Sequence, residues 1–531
     1  MWKTVGSEEP RSARASPNRA ASAPQVSWVV RWCQVRESLH RLATGGYLHR
    51  LATGGYGDRW LRPGDRWLRP EESDPSDHLH EGNKVLRLNA TRLQFHFLTA
   101  AIQAMANRFR PLLGVAMLGL AILNLLSWPD CRACADWPGL LGQKRDGFSS
   151  TSVTLSDHSK APPKIRWEVD AGQGYAGAAI AENLVVLFFR NGQEDIVQTV
   201  SLDKGNTIWK TSFPATYQQG IDRDTGPRSV PQIAQGKVFA YSAAGTLHCV
   251  DLQDGRKVWS RELRKDYNAE DGYFGAGNSP LIVDTSVIVN VGGRKKGGVV
   301  ALSIADGKTL WASTDADASY ASPILWKQDL VVPTRLATYG MNPADGSVRW
   351  QIPFGQRGPT VNAATPIITQ EDQLFLTSSY GIGFIMAKQA AGSIEIVQKG
   401  DSISSQYATP VCVGRNLFGS DGREDGGETD FRCIDGKTGT TVWTKSGMPI
   451  CHTIAIRSEA PNPKENQGAN LLLVGINGKL WHLPASREGF KPVWSTQLPE
   501  GKYRALPAMS KNLLVVRTSG GSNSKWRCVE L

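Results

Sequence analysis

The chain has 531 residues, 40% hydrophobic and 21% charged, with a formal net charge of +11. Most of that excess lies ahead of residue 136: residues 136 to 531 hold 42 Lys and Arg against 38 Asp and Glu, about +4. The later part therefore lacks the basic footprint of a nucleic-acid binder, and no arginine-rich or recognition-helix motif supplies one.

Residues 1–104 carry exact short duplications. His40 to Tyr47 returns at His49 to Tyr56, and Gly57 to Pro63 returns at Gly64 to Pro70. Such Arg-, Gly- and Pro-rich text offers no periodic apolar face, so disorder, or absence from the mature protein, is expected. Met105 opens a different text: a basic start, an uncharged run from Pro111 to Trp128, and Ala133-Cys134-Ala135. These are the parts of a secretory signal, so 105–135 is expected to direct export to the periplasm or cell envelope, with Met105 as the working start. Kept uncleaved, the segment would be a membrane anchor. Residues 136–163 read as a polar linker, and 164–531 as the folded domain.

That domain repeats one short pattern. Ser201 to Trp209, Val250 to Trp259, Leu302 to Trp311, Asn342 to Trp350 and Asp435 to Trp443 each place a short polar side chain eight residues before a Trp. Each also places Gly four residues before it (Gly205, Gly255, Gly307, Gly346, Gly439). The polar residue bonds backbone at a hairpin entry, Gly supplies a positive φ, and the Trp stands on the return strand. Recurrence at roughly 43 to 52 residues predicts an all-β, eight-bladed propeller of four-stranded antiparallel blades. In one blade, at Gly392 to Ile396, Ile396 takes the Trp position, and in the seventh Ser458 to Asn470 is an insertion. The Trp167 strand has no preceding repeat, while the last unit, from Tyr503, lacks a Trp strand; the two should pair and close the ring. Cys249, Cys433 and Cys528 occupy equivalent strands of different blades and are expected as buried hydrophobes rather than disulfide partners.

These units, Gly436 to Trp443 among the closer copies, resemble the repeats of the pyrroloquinoline-quinone (PQQ)-like propeller superfamily, whose blades end in Leu-Asp-x-x-Thr-Gly-Lys-x-x-Trp. Asp136-Trp137-Pro138, Arg145-Asp146-Gly147 and Gly226-Pro227-Arg228-Ser229 look like exported members common in planctomycete-type bacteria. The resemblance implies that Trp167, Trp209, Trp259, Trp311, Trp350, Trp443 and Trp494 dock between blades. It leaves two functions open: an exported, non-catalytic platform, monomeric and without cofactor, that binds an envelope protein, or a dehydrogenase that oxidises an alcohol or sugar with PQQ and calcium. The vicinal Cys-Cys pair that many such dehydrogenases carry is absent from the chain, Cys131-Arg-Ala-Cys134 has CxxC spacing without a following His or a second pair, and no zinc signature or catalytic-triad order emerges.

A candidate site follows from the repeat. Each blade opens with a short innermost strand, and three residues before its Pro, or at the equivalent position, stands a large polar or aromatic residue: Tyr175, Arg228, Tyr320, Tyr407, His452 and Arg504, with Asn278 and Asn362 one residue out of register. Equivalent positions form a ring, so these eight are expected at one mouth of the central channel, suited to a small anionic or planar ligand.

Overall fold

The computed structural model describes residues 137–531, apart from 219, 359, 361, 391–392, 458–468 and 521–522. The expected disordered arm, the export segment and most of the 458–470 insertion lie outside the described residues. Among the described residues no helix is long and apolar enough to cross a membrane.

Eight sheets make the eight-bladed propeller, each with four antiparallel strands; the seventh carries a fifth, parallel strand on its inner edge, and in the eighth the outermost strand comes from the start of the domain. Blade 1 comprises Ala179–Ala181, Leu184–Asn191, Glu194–Ser201 and Thr207–Pro214. The second strand of a blade is packed on both faces by neighbouring blades, which is why it reads as an apolar run rather than an alternation. All five residues of Ser286–Asn290, Asp329–Pro333 and Leu374–Ser378 are buried. Outermost strands such as Thr207–Pro214 alternate.

The repeated turn shows why its residues recur. Asp435 Oδ1 accepts the N–H groups of Lys437 and Thr438 at 3.0 and 3.1 Å. Gly205, Gly255, Gly307, Gly346 and Gly439 have φ between +69° and +73°. Glycine is needed there for a second reason: a Cβ would meet the indole of the preceding blade's Trp, 2.6 Å from Trp167 at Gly205, 2.3 Å from Trp209 at Gly255 and 2.8 Å from Trp259 at Gly307. Just before the Trp of blades 1–4, 6 and 8 the register slips by one residue. Such a bulge re-aims the following side chain. The indole N–H groups of Trp167, Trp209, Trp259, Trp311 and Trp443 donate to the carbonyls of Leu202, Leu252, Ile304, Pro343 and Ser486 in the next blade, at 2.7 to 3.1 Å.

Two of the seven docking tryptophans depart from this. Trp350 donates to Asp329 Oδ2 of its own blade at 2.6 Å, while its ring still packs with Leu374 and Leu376 of blade 5. The Trp494 indole N–H has no hydrogen-bond partner among the described residues, and its ring lies in the cluster holding Tyr503 and Leu514. Blade 5 also corrects the sequence reading. Its bulge lies between Ile396 and Gln398, so Gln398, not Ile396, stands where the other blades have Trp. Gln398 Nε2 donates to Thr438 O at 2.6 Å, Phe384 fills the space beside Gly439, and Ile396 is exposed.

Lys164–Asp170 pairs antiparallel with Lys525–Glu530, Trp167 opposite Cys528, as the fourth strand of blade 8. Its Trp167 meets Leu202 and Gly205 of blade 1 through the same contact used around the ring. The five cysteines among the described residues are free.

The expected linker is instead part of the fold. Trp137 is 2% exposed and exchanges backbone hydrogen bonds with Ile180 of blade 1. Phe148–Ser152 lies parallel on the innermost strand of blade 7, Cys451–Arg457. Between them, buried Arg145 crosses to blades 2, 3 and 4. Its guanidinium donates to Gln232 Oε1 at 3.0 Å and Pro323 O at 2.9 Å, and also to Pro280 O. An arm touching the innermost strands of several blades runs across the axis and blocks the channel. A single-copy segment has no period by which sequence could reveal this role.

Candidate functional site

The arm turns the channel into a cup. Its cavity, about 160 Å³, is lined by Tyr175, Arg228, Tyr320, Tyr407, His452 and Arg504 of the expected ring. Deeper along the same strands lie Val230, Ser279, Ser322, Thr365, Thr409 and Leu506, with Leu140 of the arm against Val230 and Leu506. The hydroxyls of this second layer link the blades. Ser279, Ser322, Thr365 and Thr409 accept backbone N–H groups from Val230, Ser279, Ser322 and Thr365, at 2.8 to 3.3 Å.

Asn278 and Asn362 do not line the cup. One residue out of register in the segments that precede Leu281–Val283 and Ile367–Ile368, they turn to the opposite side, where Asn278 Nδ2 donates to Asn290 O at 2.7 Å and Asn362 Nδ2 to Phe354 O at 3.0 Å. Gly277 and Ala363 face the cavity in their place. Sequence reasoning also missed Asp222, Phe274, Tyr380 and Gln406, which line the cup, and Glu424, which bonds its ring residues. Asp222, Phe274 and Glu424 stand in connecting segments outside the repeat, where periodicity carries no signal.

The mouth is charged and aromatic. Arg504 lies over the rings of Tyr175 and Tyr407 at 4.5 and 5.2 Å, and Arg228 over Tyr175 and Tyr217, both at 5.7 Å. Arg504 stands 3.8 Å from Asp222 and 3.5 Å from Glu424, and Arg228 4.0 Å from Asp222. Tyr407 donates to Glu424 Oε2 at 2.8 Å, and Lys502 pairs with Glu424. Burial works against the Glu424 carboxylate, but Lys502, Arg504 and Tyr407 together hold it below the ordinary range. Burial, with the nearby Asp222 charge, pushes Tyr175 up to about 12. Burial and then Glu424 push Tyr407 up as well. Both phenols stay protonated donors.

His452 is buried, and burial takes it down to about 4. Its Nε2 stands 2.9 Å from Arg504 O. A carbonyl only accepts, so Nε2 carries the proton of the neutral ring.

The residues present do not fit PQQ and calcium. Pockets that enclose a drug-sized ligand run from about 300 Å³ upward, and the cup holds about 160 Å³. Calcium takes six to eight oxygens, whereas the mouth offers two carboxylates, of which Glu424 is bonded by Lys502 and Tyr407 and Asp222 lies within 4.0 Å of Arg228 and Arg504. Among the described residues no group of three or more His, Cys, Asp or Glu is placed to hold a metal ion.

A family model described as outer membrane protein assembly factor BamB matches residues 193–445. The chain is similar to the outer membrane protein assembly factor BamB of Shigella dysenteriae, 30% identical over 162 residues, which are 30% of this chain and 37% of that protein. It thus spans little more than a third of that relative's length. It is also similar to the 1-butanol dehydrogenase (cytochrome c) of Thauera butanivorans, 22% identical over 197 residues, 34% of this chain and 26% of that protein. Among solved structures, the quinohemoprotein alcohol dehydrogenase of Comamonas testosteroni superposes with a TM-score of 0.54 at 10% identity. That match covers 75% of this chain and 81% of the other, and it is a likeness of fold.

Proposed function

We propose that this chain, a β-propeller of the PQQ-like superfamily, is a non-catalytic binding or assembly platform of the cell envelope. The observation that carries this reading is the filled axis. The arm from Trp137 to Ser152 occupies the end of the channel, and the remaining cup is smaller than a PQQ-sized ligand needs, with Glu424 at its mouth already paired to Lys502. The likeness to relatives named as outer membrane protein assembly factors supports an envelope protein as partner. In this proposal the propeller is an exported monomer facing the periplasm, touching the membrane only through 105–135 if that segment is kept.

The test has two arms run on the full chain. Crosslinking in the envelope of a producing cell should capture a defined barrel-assembly partner. Titration with PQQ and calcium should give neither saturable binding nor alcohol- or sugar-dependent dye reduction. Saturable binding with turnover would replace the platform by a quinoprotein dehydrogenase.

A further inference from the structure

We propose that the cup is a binding site for a small aromatic monocarboxylate, its ring seated on Leu140, Val230 and Leu506 and its carboxylate at Arg504. Size comes first. A cavity of about 150 Å³ with apolar walls takes up benzene, and the cup holds about 160 Å³, room for one ring. The lining agrees, with an apolar floor and walls that include Phe274, Tyr320 and Tyr407.

Charge at the mouth sets the second requirement. Of the charged side chains that line the cavity, Arg228 and Arg504 stand beside one carboxylate, Asp222, while Glu424 is held by Lys502 and Tyr407, which leaves a cation of the lining for a monoanion to neutralise. Arg504 is the group positioned to do it. Its contacts to Asp222 and Glu424, 3.8 and 3.5 Å, exceed the roughly 2.7–2.9 Å of a close charged hydrogen bond. The two tyrosine rings beside it hold the guanidinium in place at the rim. The arm blocks the far end, so the ligand enters past Asp222 and Glu424 with its ring leading.

Calorimetric titration of the full chain tests this with four probes: benzoate, 4-hydroxybenzoate, acetate and benzyl alcohol. The two aromatic acids should saturate, while acetate, which lacks the ring, and benzyl alcohol, which lacks the charge, should bind at least about tenfold more weakly. Arg504→Met should weaken benzoate at least about tenfold and leave benzyl alcohol unchanged. Leu140→Trp, which fills the floor, should abolish benzoate binding at an unchanged near-ultraviolet circular dichroism spectrum. Should Leu140→Trp unfold the arm, the Arg504→Met comparison stands without it. No saturation by either aromatic acid past the millimolar range, equal affinity for acetate and benzoate, or unchanged benzoate affinity in Arg504→Met overturns the site. Partner capture does not enter the isotherm, so the site and the platform fail separately.

Discussion

The outside and the inside of the ring obey opposite rules. Around the outside one contact recurs, a Trp after a bulge reaching a glycine turn in the next blade. Around the inside the equivalent positions hold Tyr175, Arg228, Gly277, Tyr320, Ala363, Tyr407, His452 and Arg504, no two consecutive alike. Every blade must solve the same packing problem against its neighbour, so the outer solution repeats. The inner side chains meet an enclosed space rather than a neighbour, so nothing in the packing makes them alike. Variation at a position where the architecture asks for none is therefore the better pointer to a site than the repeated motif.

The sharpest way to break this contrast is at an outer clasp. Trp259→Ala should cost ~3 to 5 kcal/mol, read as a shift in the denaturant midpoint. An unchanged midpoint would mean that the clasp does not hold blades 2 and 3 together. Next comes the arm: Arg145→Met should cost about 2–3 kcal/mol, because it strips charged hydrogen bonds from buried carbonyls. It should also open residues 137–152 to hydrogen exchange before the blades; exchange in step with the blades would refute a separate plug.

Acid titration compares the two regions in one experiment. His248, stacked on Phe213 between blades 1 and 2, is taken down to about 3 by burial and then by Lys257, and His452 in the cup to about 4 by burial. The unfolded chain takes up these protons near the ordinary histidine value of about 6.5, whereas the fold resists them, so stability is full above 6.5 and falls as pH drops toward 4. Each should contribute a slope of about 1.4 kcal/mol per pH unit, and His248→Gln and His452→Gln should each remove one share. A slope unaltered by either variant would contradict the burial of that ring. The smallest effects belong to single polar contacts: Gln398→Ala and Tyr407→Phe should each shift stability by about 1 kcal/mol. A loss at Gln398 as large as that at Trp259 would show that blade 5 relies on its glutamine as others rely on Trp.

How far sequence reached follows from the same contrast. The blade count and the turn chemistry were legible because Asp251, Gly255 and Trp259 act within ten residues and recur. Five of the six ring residues that line the cup were legible because each stands four residues before its innermost strand; His452, the second residue of Cys451–Arg457, was legible only from the place of its unit in the repeat. Asn278 and Asn362 were misplaced by a single residue, which turns their side chains to the opposite side. Gln398 was missed because the bulge, not the count from the turn, decides which residue faces the next blade. Arg145 acts across the axis, and Asp222 on the neighbouring Arg228 and Arg504, both from single-copy segments whose contacts no repeat encodes.

The pairing of Lys164–Asp170 with Lys525–Glu530 has a consequence for how the molecule is made. Arg166 and Glu530 meet across 364 residues, so the first strand of the propeller must wait through the synthesis of nearly all the others before its partner exists. Until then its two edges are open, and long-range strand pairings of this kind form late and leave aggregation-prone intermediates. A chain shortened by its last six residues would keep seven complete blades and still hold that first strand unpaired. Its defect should appear in the yield of folded protein before it appears in any property of the protein that does fold.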